Sequence, residues 1–214
     1  MDSFYNYFGV FTTFICVIPI CIGILNFRKL PPILKPVLTL LFIVFITECL
    51  NKILSYYIDS TYPITRTYTL LEFICLTLFY KLFFKDHVKP YVFYLALVAF
   101  TLVALADAFL INSIYRSDTI ASATEGIMVL CYSLGAFYLI MRKMLYEDVL
   151  KAPFFWINSA YLIYFSGTLF LFVFLNYIIK SQPNYFYQLY FINSLLNLVS
   201  YTLISIGFWK TRKA

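Results

Sequence analysis

Seven stretches of about 20 predominantly apolar residues, separated by short connections, make up most of this chain of 214 residues. A helix rises about 1.5 Å per residue, so each stretch is long enough to cross roughly 30 Å of hydrocarbon. Composition points the same way, with 63% of residues hydrophobic and 12% charged, where soluble domains carry about 25% charge. A soluble fold is excluded. The expected fold is an all-α integral membrane bundle, a single domain over residues 1–214, with spans at 8–27, 36–57, 65–84, 90–111, 119–141, 153–176 and 186–209.

Prolines mark the edges of these spans. Pro36, Pro90 and Pro153 each open one, where a missing N–H costs nothing, while Pro63 and Pro183 are read as lying in connections. Pro19 falls inside the first span and predicts a kink. Of the 16 Lys and Arg residues, 12 fall in alternate connections and at the C-terminus: Arg28, Lys29, Lys35, Lys81, Lys85, Lys89, Arg142, Lys143, Lys151, Lys210, Arg212 and Lys213. Arg66, Arg116 and Lys180 are assigned to the opposite side, and Lys52 lies within a span. The positive-inside rule therefore sets the N-terminus outside and the C-terminus in the cytoplasm, and seven crossings agree with it. Trp156 and Trp209 then belong to the cytoplasmic aromatic belt. The net charge of +6 is mostly this basic fringe, which suits anionic lipid headgroups; no domain is available for nucleic acid.

Several chemistries are excluded by what the chain lacks. The five cysteines, Cys16, Cys21, Cys49, Cys75 and Cys131, all lie in apolar stretches and form no C-x-x-C pair, so they read as small hydrophobes and not as a disulfide framework or thiolate metal site. The single histidine, His87, sits among Lys85, Asp86 and Lys89 and reads as a solvated loop residue. The segment before the first span has no basic n-region and no A-x-A site, so that span is expected to be retained. No connection is long enough to form a domain, and any signalling output has to pass through another polypeptide. No cofactor or metal is implied.

Charges inside the hydrocarbon carry the functional information, because each costs about 2.5 to 3.5 kcal/mol on insertion scales. Five are expected: Glu48 and Lys52 in the second span, Glu72 in the third, Asp107 in the fourth and Glu125 in the fifth. Measured at the helical rise from the outer end of each span, they lie at depths of ~13, ~8, ~10, ~6 and ~9 Å. Asn193 and Asn197 of the last span share a helical face with Ser200 at a similar level, whereas the inner half offers only Asn158. Stripes of Asp118, Ser122, Glu125 and Tyr132, and of Thr65, Tyr68, Thr69 and Glu72, descend from the outer surface at helical spacing. The expected site is an outward-facing polar pocket for a ligand, ion or proton, drawn from Glu48, Lys52, Glu72, Asp107, Glu125, Asn193 and Asn197. Four carboxylates against one ammonium leave a formal charge of minus three, which requires a protonated carboxyl or a bound cation. The competing reading is a bundle tied by buried polar bonds, with Glu48 and Lys52 as an intrahelical pair and Asp107 shallow enough to reach the headgroups. Gly135, Gly167 and Gly207 are read as close-packing positions.

Three families with seven helices or a related plan lack matching signature residues here. A retinal lysine is missing from the last span, and a histidine triad for zinc hydrolysis is impossible with one histidine. Sugar transporters of the SWEET type share a 3+1+3 topology, but no Pro-Gln motif occurs. The sequence Tyr68-Thr-Leu-Leu-Glu72-Phe73 with Leu78-Phe-Tyr80, then Phe155-Trp156-Ile157 followed by Gly167 and Asn176, and Asn193 with Asn197, Tyr201 and Gly207-Phe208, resembles small stand-alone seven-helix inner-membrane proteins of Gram-negative bacteria with AT-rich genomes. These are similar to the seven-helix input regions fused to some histidine kinases. The resemblance implies a multi-pass protein of the bacterial inner membrane that reads a small polar or cationic outside ligand, or a membrane state, for a cytoplasmic histidine kinase or other signalling partner. A cation, proton or solute transporter is the alternative, and an intramembrane lipid hydrolase using paired carboxylates is a third reading.

Overall fold

The computed structural model describes residues 9, 11–58, 60–111, 119–181 and 186–212, with the side chains of 119, 172–187 and 190 outside that description. Arg116, Asp118, Pro183 and Lys213, and the side chains of Asn176 and Lys180, therefore lie outside the described residues. Over the described residues the chain is all-helical: α1 (Val17–Leu25), α2 (Lys35–Leu54), α3 (Tyr62–Phe83), α4 (Tyr91–Ala106), α5 (Thr119–Lys143), α6 (Pro153–Ser181) and α7 (Phe186–Lys210). A π-helical turn, Asp107–Ile111, continues α4. Short 3-10 turns occupy Phe27–Lys29, Pro32–Leu34 and Val149–Lys151.

Five helical segments are long and apolar enough to cross a membrane: Pro32–Leu54, Tyr91–Ile111, Ile120–Lys143, Pro153–Leu171 and Phe191–Lys210. The first helical stretch, Phe11–Leu25, is apolar but shorter. Its ladder is interrupted at Cys16, near Pro19, whose ring carries no N–H for the Ile15 carbonyl. The third helix, α3, is long enough at 22 residues but carries Arg66, Glu72 and Lys81 among threonines. Arg66, Thr69, Glu72 and Thr77 are among its buried residues; protein, more than lipid, surrounds this helix, which relaxes the demand for an apolar surface. By contrast α4 buries only Phe93 and Phe100, leaving an apolar exterior suited to acyl chains.

One boundary is corrected. Pro63 does not lie in a connection: it occupies the first turn of α3, which starts at Tyr62, because that turn needs no N–H at this position. His87 does sit exposed in a turn, its backbone N–H donating to the Phe84 carbonyl at 2.9 Å.

Contacts group the chain into two compact units. The first, Pro32–Met128, contains α2, α3, α4, the π turn and the N-terminal part of α5. Here α3 packs against both α2 and α4. The Phe73 and Phe100 rings meet at 4.1 Å between centroids, and Lys81 donates to the Tyr94 hydroxyl at 2.6 Å while lying over the same ring. The second unit joins Met1–Pro31 to Val129–Ala214 and contains α1, the C-terminal part of α5, α6 and α7. Its central pair is α6 with α7, which approach closely at two glycines. A Cβ on Gly167 would lie 2.6 Å from the Leu196 methyls, and one on Gly207 would lie 2.6 Å from Ile157 Cγ1 and 3.1 Å from the Pro153 carbonyl. These are the close-packing roles expected of both. Asn158, fully buried, donates to the Ser133 carbonyl at 3.1 Å while Ser133 Oγ donates to the Asn158 carbonyl at 3.3 Å. The Ser200 hydroxyl donates to the Ala160 carbonyl at 3.2 Å.

Candidate functional site

The N-terminal half of α3 and the junction of α4 with its π turn meet at a buried ion pair. Arg66 Nη1 donates to Asp107 Oδ2 at 3.1 Å, with the side chains 9% and 0% exposed. One expectation and one competing reading are corrected here. Arg66 is not an outer-loop charge: it sits in the second turn of α3, buried. Asp107 does not reach outward to headgroups: it is enclosed, because the guanidinium of Arg66 supplies the counter-charge that makes a deep position tolerable. Local sequence explains the placement. Opening α3 at Tyr62 and Pro63 winds Arg66 into helix, and the π turn begins at Asp107 itself; such bulges reset the side-chain register and recur at functional sites.

Arg66 forms part of the wall of a cavity of about 160 Å³, room for roughly five waters at bulk density. Pro63, Thr67, Thr69 and Leu70 of α3 line it with Ala104 and Leu105 of α4, Ala108 and Phe109 of the π turn, and Ala121 of α5. Small residues at Ala104, Ala108 and Ala121 leave the space, and the Thr69 hydroxyl folds back to donate to the Thr65 carbonyl at 3.1 Å. Glu72 is buried one turn along α3 from Thr69, and Glu125 is buried one turn along α5 from Ala121. Both carboxyls therefore belong to the two helical faces that bound the cavity. On α2, Glu48 and Lys52 are half-buried. All five charges expected from sequence fall within the unit Pro32–Met128. Asn193 and Asn197 fall on α7 in the other unit, each half-buried.

With Arg66 added, four carboxylates face two cations, and the formal charge becomes minus two. The arrangement can hold a guest of a few heavy atoms beside Arg66, the member of the ion pair that forms part of the cavity wall. No group of three His, Cys, Asp or Glu side chains able to hold a metal occurs among the described residues. Sequence reasoning missed Arg66 because the third span was begun at Thr65, which left the arginine at its rim. The overlooked signal was the charge balance itself, since the acidic excess demanded a cation and Arg66 stands three residues from Thr69 on the stripe already recognised. Compared with family models, curated proteins and solved structures, the chain matches none.

Proposed function

We propose that this chain is a multi-pass sensor of the bacterial inner membrane, crossing it seven times with the N-terminus outside and the C-terminus in the cytoplasm. It binds a small polar or cationic ligand from outside at the cavity beside Arg66 and relays the event to a cytoplasmic histidine kinase or other signalling partner. The observation that carries this reading is the buried Arg66–Asp107 pair at 3.1 Å, whose arginine forms part of the cavity wall. It ties α3 to the α4 junction by a charged contact that an entering charge can exchange, so occupancy and helix packing are linked by a differential interaction, as a switch requires. The basic fringe and the seven-helix resemblance supply the orientation and the expected partner. Cross-linking the full chain in its own membrane tests the reading: a kinase or comparable signalling protein is captured, and Arg66→Lys alters the yield. Capture of lipid-biogenesis or structural proteins alone, with no signalling protein, overturns it.

A second reading has its own support. Glu72 and Glu125 are both buried in the same unit, as proton or cation carriers are in many transporters. Proteoliposome flux separates the two. A sensor gives no flux above empty vesicles; a proton or cation flux that Glu72→Gln reduces tenfold decides for transport.

A further inference from the structure

The unit formed by Met1–Pro31 and Val129–Ala214 contains a second cavity, different in chemistry from the one beside Arg66. It measures about 580 Å³ and is lined by Ile24, Leu25, Asn26, Phe27, Arg28, Lys29 and Arg212. Its polar wall is held in place from beneath. Asn26 is 4% exposed; its amide donates to the Ile22 carbonyl at 2.9 Å and its Oδ1 accepts Arg212 Nε at 3.0 Å. The Arg212 guanidinium also lies 4.3 Å from the centre of the Trp209 ring. Both contacts restrain the plane of that guanidinium, and the bond to Asn26 uses only Nε. Arg28 and Lys29 belong to the 3-10 turn that follows α1. Neither they nor Arg212 form a salt bridge with a carboxylate among the described residues.

We infer that this cavity binds the phosphate of an anionic membrane lipid. Three cations with no carboxylate partner among the described residues, one of them oriented by a buried amide, form a site for a phosphate oxygen cluster, for which a planar guanidinium gives paired hydrogen bonds. The apolar part of the lining selects lipid over free phosphate. Leu25 is 74% exposed and Phe27 53% exposed, so aliphatic and aromatic surface continues directly from the cationic rim, as an acyl chain attached to the same phosphate requires. The site lies at the C-terminal ends of α1 and α7, where helix dipoles add negative potential that the basic residues already offset. This differs from a diffuse basic fringe in predicting a saturable stoichiometry and a dependence on particular residues. Basic pockets at the membrane surface are a general solution for anionic headgroups.

The test uses the full chain purified in a neutral detergent. Native mass spectrometry and thermal unfolding are followed with added dioleoylphosphatidylglycerol, dioleoylphosphatidylcholine, inorganic phosphate and polyglutamate. The expected result is one phosphatidylglycerol retained per chain, a rise in Tm of several degrees with that lipid only, and at least tenfold weaker binding in both Arg28→Gln/Lys29→Gln and Arg212→Gln. The double variant changes two exposed side chains, so it keeps the test valid if Arg212→Gln unfolds. Arg142→Gln/Lys143→Gln removes an equal charge outside the cavity and is expected to bind as the parent does. Equal weakening by that control means diffuse attraction and overturns the proposal. So does full competition by inorganic phosphate, which means a soluble-anion site, or preference for polyglutamate, which means a protein-docking surface.

Discussion

Arg66 and Asp107 illustrate how a single contact changes the meaning of two residues. With the side chains 9% and 0% exposed at 3.1 Å, both charges are buried, so removing one takes a counter-charge from the other. Asp107→Asn and Arg66→Gln are each expected to destabilise by about 3 to 5 kcal/mol. The apolar double replacement Arg66→Met/Asp107→Leu is expected to recover most of that, since it removes both desolvation costs. Thermal unfolding of the four proteins in detergent reads the coupling directly; additive losses would mean that the two side chains act independently. A double variant that is stable yet loses the proposed ligand response would separate the proposed signalling role of the pair from its packing role. The pair also shows where sequence reading reached its limit. Depth could be assigned from helical rise, which brought Asp107 and Glu72 to a common level. Whether Arg66 was loop or helix turned on three residues at a boundary, and only its partner on a distant helix resolves that.

At the scale of helices, spans were legible because hydrophobic length is a one-dimensional property, and α2, α5, α6 and α7 begin at or beside the positions expected. Partners are not one-dimensional. Gly167 and Gly207 were recognisable as close-packing residues, but their costs differ for a reason only geometry supplies. A methyl at Gly167 meets the ends of Leu196, which can rotate away; at Gly207 it meets the Ile157 stem at 2.6 Å and the fixed Pro153 carbonyl at 3.1 Å. Gly167→Ala is therefore expected to be nearly neutral, whereas Gly207→Ala costs about 1 to 3 kcal/mol. Unfolding midpoints of the two variants check this, and equal effects would show that α6 and α7 yield together. The connection before α6 supplies a pH prediction. The hydrogen bond from Lys151 holds the exposed Asp148 carboxyl below its ordinary range, and Asp148 also accepts the Leu150 N–H at 3.1 Å. A lowered folded pKa means the stabilisation is present above the unfolded value of about 3.9 and is lost as pH falls through the folded one. Trp156 Nε1 donates to the Leu150 carbonyl at 2.8 Å, so in a Trp209→Phe background its emission should shift at acid pH. Asp148→Asn, which can still cap but does not titrate there, should abolish the shift.

For the whole molecule, the decisive quantity is the side on which the basic residues lie. Helix content and apolar length leave the sign of the topology open, since a bundle and its inverted copy bury the same side chains. The asymmetry of Lys and Arg breaks that symmetry: 12 of 16 fall in one set of connections and the C-terminus. Transfer of these charges across a membrane held negative inside is opposed by about 2.3 kcal/mol per charge per 100 mV, so a chain inserted the wrong way up carries a large electrical penalty. Reporter fusions convert this into a pattern. A fluorescent protein at the C-terminus is expected to fold and fluoresce. Alkaline phosphatase joined after Ser60, between α2 and α3, is expected to be active, and joined after His87, between α3 and α4, to be inactive. The alternation between the last two tests α3 in particular, which is not among the five apolar spans. If α3 does not cross, both sites fall on one side, the phosphatase activities become alike, and the polar character of that helix marks an element packed within protein without traversing the bilayer.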